Sequence, residues 1–396
     1  MKILFVSAVL PYPLHSGGQI RIYNLLKRLS NTQEIHLFSF IRSESEKKEL
    51  SHLSFCKTVT TVLRGRVWQP KYLFGSLTST YPLLWSSYHN SEMLSLLADE
   101  LTQGRYDVVH LEPGYVWPAV PETRIPVVVC EHNIEHTVYE AYVRQFPLFP
   151  LRPFLSLDVA KMIRWESQVW REAAGIVSVS DADRDYIAHS VAPDKISIVP
   201  NGVDIRAFPF RPKKSWDAKS LTFLYVGNFF WMENRDAVER LVKDYWSVII
   251  GKYPRAELRI VGKLAPKHLK RFASDSVHFL EDVDVVQTEF VGADILLAPI
   301  HIGGGTKYKI LEAMASGLPV ITTKLGVGGI RGSDGKQFLL AENVGGVLPL
   351  IERLSDQSER MALVKNARTL VETQYSWDMI AHALDAAWKD AYEKRH

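Results

Sequence analysis

Between Ile302 and Thr323 the chain reads IGGGTKYKILEAMASGLPVITT. Three glycines, Gly303, Gly304 and Gly305, follow the apolar run DILLAPI (Asp294 to Ile300) and lead into Thr306, after which Ile310, Leu311 and Met314 recur with helical spacing. A strand, a tight turn and a helix beginning at Thr306 are therefore expected. Glycines let a backbone come close to a ligand, and a helix N-terminus presents unpaired N–H groups at the positive end of its dipole, which suits a phosphate. Lys307 and Lys309 add positive charge. Glu312 shares a helical face with Lys309 (i, i+3) and Tyr308 (i, i+4), so its carboxylate could accept hydrogen bonds from sugar hydroxyls beside that phosphate. The glycine spacing matches neither GxxxxGK[ST] nor GxGxxG, so alone it also reads as an ordinary α/β turn.

Such a junction has to be held by a sheet. The helix should end near Gly317, and LPVITT reads as the next buried parallel strand. Short β-rich runs alternate with helical patterns along the whole chain, which calls for parallel sheets with crossover helices. Strands are expected near Ile3 to Ser7, Ile35 to Phe40, Thr58 to Leu63, Asp107 to Leu111, Val127 to Cys130, Ile176 to Val179 and Ile196 to Val199 in the first half. In the second half they are expected near Thr222 to Val226, Glu257 to Val261, Val277 to Leu280, Asp294 to Ala298, Val320 to Thr323 and Phe338 to Leu340. RAFPFRPKKSWDAKS, Arg206 to Ser220, is rich in Pro, Lys and Arg, lacks periodicity and is the expected linker.

Ligands of open α/β sheets bind at the carboxyl ends of strands, and three segments of the first half fall there. After the first strand, Gly17 and Gly18 precede a helix expected over Gln19 to Leu29, a second place for N–H groups to meet phosphate; Arg21 in its first turn either adds charge there or is a solvated face residue. HLEPGYVWP places Glu112 and Tyr115 just past another strand, as site residues or as a polar turn. CEHNIEH places His132 and Asn133 after the apolar run IPVVVC, with Glu131 and Glu135 beside the histidine, a setting suited to acid/base chemistry.

With 396 residues the chain exceeds one ordinary core and suggests two domains of about equal size, and 46% hydrophobic with 23% charged residues is a globular composition. The net charge of +3 is too small to argue for nucleic acid. Cys56 and Cys130 cannot build a disulfide framework and have no metal-type spacing, so reduced thiols in a cytoplasmic protein are expected. No apolar run approaches the ~20 residues of a spanning helix. MKILFVSAVL imitates a signal peptide, yet no small-residue cleavage site follows it, and a first β-strand is expected instead.

Phe146, Phe149, Phe154 and Leu155 are mixed with Arg144, Arg152, Lys161 and Arg164, and Arg64, Arg66, Trp68, Lys71 and Tyr72 form a similar group. Basic and aromatic residues together can rest on an anionic membrane surface, or simply pack against the domain. Two D-x-D triplets, Asp181 with Asp183 and Asp282 with Asp284, lack a third ligand nearby, and no metal site is expected.

Taken in order, these pieces resemble a GT-B glycosyltransferase, more narrowly the retaining family 4 (group 1) enzymes. The resemblance includes Gly17, Gly18 and Arg21, the pair His132 and Asn133, the marker Pro200 to Asp204 (PNGVD), VGNFFWMENRDAV with Gly227, Trp231 and Asn234, LRIVGK, the GGGTKYKILEAMASGLPVI signature, and a C-terminal helix near YSWDMIAHALDAAW. It implies an α/β fold of two Rossmann-like domains with parallel sheets facing a cleft. Residues 1–205 would form the acceptor domain and 206–376 the donor domain, with 377–396 a helix crossing back to the first.

By position, the resemblance implies that Glu312 holds the donor ribose, that Gly303, Gly304, Gly305, Thr306 and Lys307 line the sugar and diphosphate, and that Gly17 and Gly18 face the diphosphate. His132 and Asn133 would lie near the transferred sugar, Val283 near the base, and Arg21, Glu112 and Tyr115 on the acceptor side; His132, Lys307 and Glu312 are the expected catalytic residues. Lys309 is a further candidate for diphosphate charge. Two departures stand out. The family pairs Glu312 with a glutamate eight positions earlier, where this chain has Gly304, and the turn after the first strand of the second domain lacks the usual Arg and Lys, leaving Asn228 and Arg235 as the nearest polar groups. No cofactor or metal is implied. The donor would be a UDP, GDP or dTDP sugar, the acceptor a glycan, a lipid-linked or a small-molecule hydroxyl, and the setting the cytoplasm with peripheral contact at the inner membrane face. Two other readings stay open: a nucleotide-sugar epimerase of the same architecture using Glu112 and Glu131, and a non-catalytic sugar-nucleotide binding protein.

Overall fold

The alternation of apolar runs and helical patterns resolves into two all-parallel sheets, one in each of two units. The computed structural model describes residues 1–395 other than 68, 147, 218, 264, 266, 282 and 304, and the units are Met1–Pro200 with Ile380–His396, and Asn201–Met379. Trp68, Asp282 and Gly304, all singled out above, lie outside the described residues.

The first unit contains β1 (Lys2–Ser7), α1 (Gly17–Leu29), β2 (Glu34–Ile41), β3 (Thr58–Leu63), α2 (Pro70–Thr78), β4 (Val108–Glu112), β5 (Val127–Glu131), α3 (Glu135–Gln145), α4 (Arg152–Glu172), β6 (Gly175–Ser178) and β7 (Ile196–Ile198). Its strand order is β3-β2-β1-β4-β5-β6-β7. Every residue of β4 and β5 is buried, as expected of strands covered on both faces. In register, Ser7 of β1 lies opposite Glu112 of β4.

The second unit contains β8 (Thr222–Val226), α5 (Met232–Arg240), β9 (Glu257–Val261), β10 (Val277–Leu280), β11 (Ile295–Ala298), α6 (Tyr308–Ser316), β12 (Val320–Thr322) and β13 (Leu339–Leu340). The order β10-β9-β8-β11-β12-β13 repeats the plan of the first sheet. In both sheets the order reverses beside the unit's first strand, between β1 and β4 and between β8 and β11. At such a reversal the connections leave toward opposite sides and open a crevice at the carboxyl ends of the strands. The last helix, α7, runs over Trp377–Glu393.

Each expected strand exists, with no end displaced by more than one residue. Three expectations are corrected. Gly17 and Gly18 belong to the first turn of α1 rather than preceding it, because Ser16 caps the helix by accepting from the Gln19 N–H. Likewise α6 starts at Tyr308, with Lys307 as its extended N-cap residue. The Arg206 to Ser220 segment is no linker: Phe208 is buried against Phe290, Lys213 pairs with Asp294 at 2.9 Å, and Arg360 lies over the Trp216 ring, so the segment is packed into the second unit. The division falls earlier, at Pro200, because Val203 bridges to Ser376 and exchanges backbone hydrogen bonds with Tyr375 and Trp377.

Gly317 ends α6 in the left-handed conformation (φ 80°), and a Cβ there would lie 2.8 Å from Cε2 of Phe210. Forcing a side chain into that conformation costs roughly 1–2 kcal/mol before the clash is counted. Gly317→Ala is therefore expected to lower the thermal midpoint of the second unit by at least about 3 °C; a calorimetric scan that shows no decrease would refute this account of the helix end.

Candidate functional site

In the first unit the crevice at β1 and β4 is organised by Glu112, the last residue of β4, whose side chain has no exposure to solvent. Its Oε1 accepts from Arg21 Nε at 2.7 Å and from His132 Nε2 at 2.8 Å, and its Oε2 accepts from His110 Nε2 at 3.1 Å. Burial alone would raise the pKa of such a carboxylate; the Arg21 guanidinium and the hydrogen bonds from His110 and His132 outweigh it and hold Glu112 well below the usual range. Trp388 of α7 donates its indole N–H to Nδ1 of His110 at 3.0 Å. An indole N–H only donates, so His110 carries its proton on Nε2, the nitrogen that meets Glu112. Burial also lowers the His110 pKa, which keeps that imidazole neutral.

The same logic orients His132. Its Nε2 proton is committed to Glu112, so its Nδ1 and Cε1 edge is turned toward Gly18, where a Cβ would lie 3.7 and 3.6 Å from those atoms. His132 keeps 20% of its side chain exposed, whereas Arg21 and Glu112 keep 1% and 0%. His132 is thus the open end of a buried chain of hydrogen bonds.

Several assignments change accordingly. Arg21 and Glu112, expected on the acceptor side, face each other inside the protein, and Arg21 also donates to the carbonyl of Pro200 at 2.8 Å. Tyr115 does not join Glu112; its ring packs with those of Trp85 and Tyr88. Glu131 and Glu135 are not the partners of His132. Glu131 accepts from Trp170 Nε1 at 2.8 Å, and Glu135 takes a hydrogen bond from Asn133, its pKa pushed up to about 8 by burial and by Glu166.

Tertiary structure also brings Cys130 near Glu112 and His132, three ligand-type atoms within 4.8 Å of one another. The donor set does not suit a cation. The Arg21 guanidinium already lies against it, 3.6 Å from the sulfur, and burial pushes the thiol pKa well up. Asp183 of the first D-x-D triplet is tied to a helix cap: Ser180, the N-cap residue, accepts from the Asp183 N–H at 3.1 Å and donates its hydroxyl to the Asp183 carboxylate at 2.5 Å.

In the second unit the crevice at β8 and β11 is lined by the glycine turn. Gly303 and Gly305 have φ of 103° and 67°, a backbone path that side chains rarely adopt. Thr306 follows; it is 5% exposed, and its buried hydroxyl finds no hydrogen-bond partner among the described residues. Buried hydroxyls are normally satisfied, so an orphan one beside the N-terminus of α6 marks a place where an anionic oxygen fits.

Lys309 and Glu312 both project from α6. The Lys309 ammonium lies 2.5 Å from Asn234 Oδ1 and 2.9 Å from the Tyr225 hydroxyl. Burial, helped by Lys307, brings its pKa down to about 7, against the opposing pull of Glu233 and Glu312. Burial also raises Glu312 to about 7, partly offset by Lys309. Lys307 is shifted down for the same first reason. Asn234 Nδ2 donates to the carbonyl of Asn228, while Asn228 Oδ1 accepts from the Phe230 N–H, so Asn228 chiefly shapes the turn after β8. Val283 is half-buried against the core of this unit.

His110, Trp388, Tyr225 and Glu233 were missed as site residues. His110 had a local signal, since it stands two residues before Glu112 on one strand and so shares its face. Trp388 and Tyr225 had none, because their partners are far away in sequence.

Residues 15–207 match the family model described as Glycosyltransferase Family 4, and residues 220–356 match that described as Glycosyl transferases group 1. An uncharacterized 44.6 kDa protein in the cps region of Klebsiella pneumoniae is 22% identical over 357 residues, 86% of this chain and 88% of that protein. Among solved structures, sucrose-phosphate synthase from Thermosynechococcus elongatus is similar with a TM-score of 0.74, 16% identity and 100% of both chains covered. Anabaena HepE in complex with UDP-glucose is similar with a TM-score of 0.64, 14% identity and 98% of both chains covered.

Because Lys309 has a pKa near 7, it is largely neutral at pH 8, and an adjacent diphosphate would favour its charged form. Nucleoside-diphosphate binding at pH 8 should therefore take up protons, while Glu312, already mostly ionised there, releases few. Titration calorimetry in buffers of different ionisation enthalpy measures this uptake, and a binding enthalpy independent of buffer would contradict it.

Proposed function

Since the chain belongs to the group 1 glycosyltransferases of family 4, we propose that it transfers a hexose-type sugar from a nucleoside-diphosphate donor to a hydroxyl acceptor with retention of anomeric configuration. The Thr306 hydroxyl at the glycine turn, without a partner among the described residues, carries this reading. The turn, the first N–H groups of α6 and Lys307 would receive the diphosphate, with Lys309 supplying charge from within the unit. Glu312, three residues beyond Lys309, would accept from the donor ribose hydroxyls.

Negative charge grows on the leaving diphosphate as the glycosidic bond breaks, and fixed donors that need no reorganisation lower that barrier without a metal. The leaving phosphate would take the acceptor proton on the face where it departed, so no protein nucleophile is needed. His132 would touch the transferred sugar through its Nδ1 edge, fixed by Glu112. An epimerase would need free acid/base carboxylates, but Glu112 and Glu131 are both buried and hydrogen-bonded, which favours transfer. That HepE is described in complex with UDP-glucose supports a UDP-sugar as the first donor to try, and the cps-region relative fits a role in polysaccharide or glycolipid synthesis.

A peripheral membrane setting at the cytoplasmic face has its own support. Among the described residues no helix is long and apolar enough to cross a membrane. However, α2 exposes Phe74 (68%) and Leu77 (82%), and the start of α4 with the turn before it exposes Phe149 (73%) and Phe154 (69%). The two segments are tied by Asp158, which accepts from Ser76 Oγ and the Leu83 N–H, and by Trp165, which donates to the Thr80 carbonyl. Arg66 just before α2, Lys71 in α2 and Arg164 farther along α4 are exposed. Apolar rings with cations around them match an anionic bilayer surface.

Thermal-shift screening with UDP-, GDP- and dTDP-sugars should find one that stabilises the protein by about 2.7 kcal/mol at 100 times its dissociation constant. Glu312→Ala should weaken use of that donor more than tenfold, as loss of a hydrogen bond to a charged group costs roughly 1.5–3 kcal/mol, and EDTA should leave transfer intact. Unaltered kinetics in the variant, or strict metal dependence, would count against this donor site. For the membrane, sedimentation with phosphatidylglycerol vesicles should capture the protein at low salt and lose it on Phe74→Ser with Phe149→Ser; equal capture by neutral vesicles would argue against the charge match.

A further inference from the structure

The family's first glutamate is absent here because residue 304 is glycine. A turn without side chains leaves open what would contact the donor sugar. Glu233, in the first turn of α5, stands beside that turn: a Cβ built on Gly303 would lie 3.4 Å from Glu233 Cβ, 3.6 Å from its Cγ, and 3.3 Å from Lys307 Nζ. The glutamate stem and the Lys307 ammonium therefore flank the backbone of Gly303 closely. Glu233 is half-buried, and its charge acts on Lys307, Lys309 and Tyr225. Among the described residues no hydrogen bond or ion pair engages its carboxylate.

We propose that Glu233 supplies, from a different helix, the carboxylate that binds hydroxyls of the donor sugar, and so determines which sugar is accepted. This rests on the donor-site reading above. The chemistry follows from charge. A carboxylate only accepts, and adjacent sugar hydroxyls can donate to its two oxygens together. A diphosphate beside Glu233 would be repelled, whereas the neutral sugar joined to it is not. The anionic part of the donor then belongs at Lys307, Lys309 and the α6 N-terminus, and the sugar on the Glu233 side of the glycine turn. The lack of side chains at Gly303 and Gly305 is what lets a residue of α5 reach over the turn.

The test compares wild type, Glu233→Ala and Glu233→Gln by titration calorimetry with three matched pairs: UDP and UDP-glucose, GDP and GDP-mannose, dTDP and dTDP-glucose. For whichever pair binds wild type, Glu233→Ala should weaken the sugar nucleotide at least tenfold, and Glu233→Gln by less. Affinity for the parent nucleoside diphosphate should stay the same or rise, since a repelling charge is gone. Equal weakening of both members would assign Glu233 to shaping the turn or holding Lys307, and no change in either would remove it from the site. Either result overturns the inference while leaving the donor-site reading intact. If none of the six ligands binds wild type, the donor-site reading fails and takes this inference with it.

Discussion

A carboxylate cut off from water must find compensation inside the protein, and Glu112 shows how much of the first unit is built to provide it. Its ion pair with Arg21 joins α1 to the end of β4, and Arg21 continues to the carbonyl of Pro200, the last residue before the division between the units. His110 adds a second donor, kept in the right tautomer by Trp388 of the last helix. Removing one member of a buried pair leaves a charge with no partner, typically at a cost of 3–5 kcal/mol. Four distant parts of the chain are thereby fixed around one side chain, and the result delivered to the surface is a single oriented imidazole, His132.

The second unit uses desolvation differently. Lys309 and Glu312 are both enclosed enough for their pKa values to move toward neutrality, from opposite sides. Neither is held strongly in its charged form before a ligand arrives. A diphosphate would draw the proton onto Lys309, and ribose hydroxyls would favour the Glu312 carboxylate, so the ligand itself would complete the charge pattern. The Thr306 hydroxyl, unpaired and buried, belongs to the same arrangement. Sites poised in this way pay a small cost in stability when empty and recover it on binding.

The second unit also shows how one architecture can move a charge to a different element. The turn after β8 lacks the Arg and Lys that many family members carry there, with Asn228 and Arg235 the nearest polar groups, yet the Lys309 ammonium, borne on α6, sits against Asn234 of α5. Glu233 of α5 would do the same for a carboxylate, its stem lying beside the backbone of Gly303. In both cases the position in space matters more than the position in the chain, because a ligand meets atoms and not sequence numbers.

What the sequence alone determined is whatever is written in local periodicity. Two successive sets of β-rich runs with helical spacers dictate two parallel sheets, since alternating patterns of that length can bury their faces only in that way. The glycine turn, its helix and the C-cap at Gly317 were legible because backbone conformation and helix ends depend on adjacent residues. Tertiary structure alone decided who meets whom: that Arg21 is a buried partner of Glu112 and not a solvated residue, that His132 pairs with Glu112 and not its neighbours Glu131 and Glu135, that Arg206 to Ser220 is packed and not a linker. Pairings of this kind join residues separated by as many as 278 positions, as Trp388 and His110 are. Such pairings depend on strand order and helix placement, and no spacing within a strand or a helix encodes them.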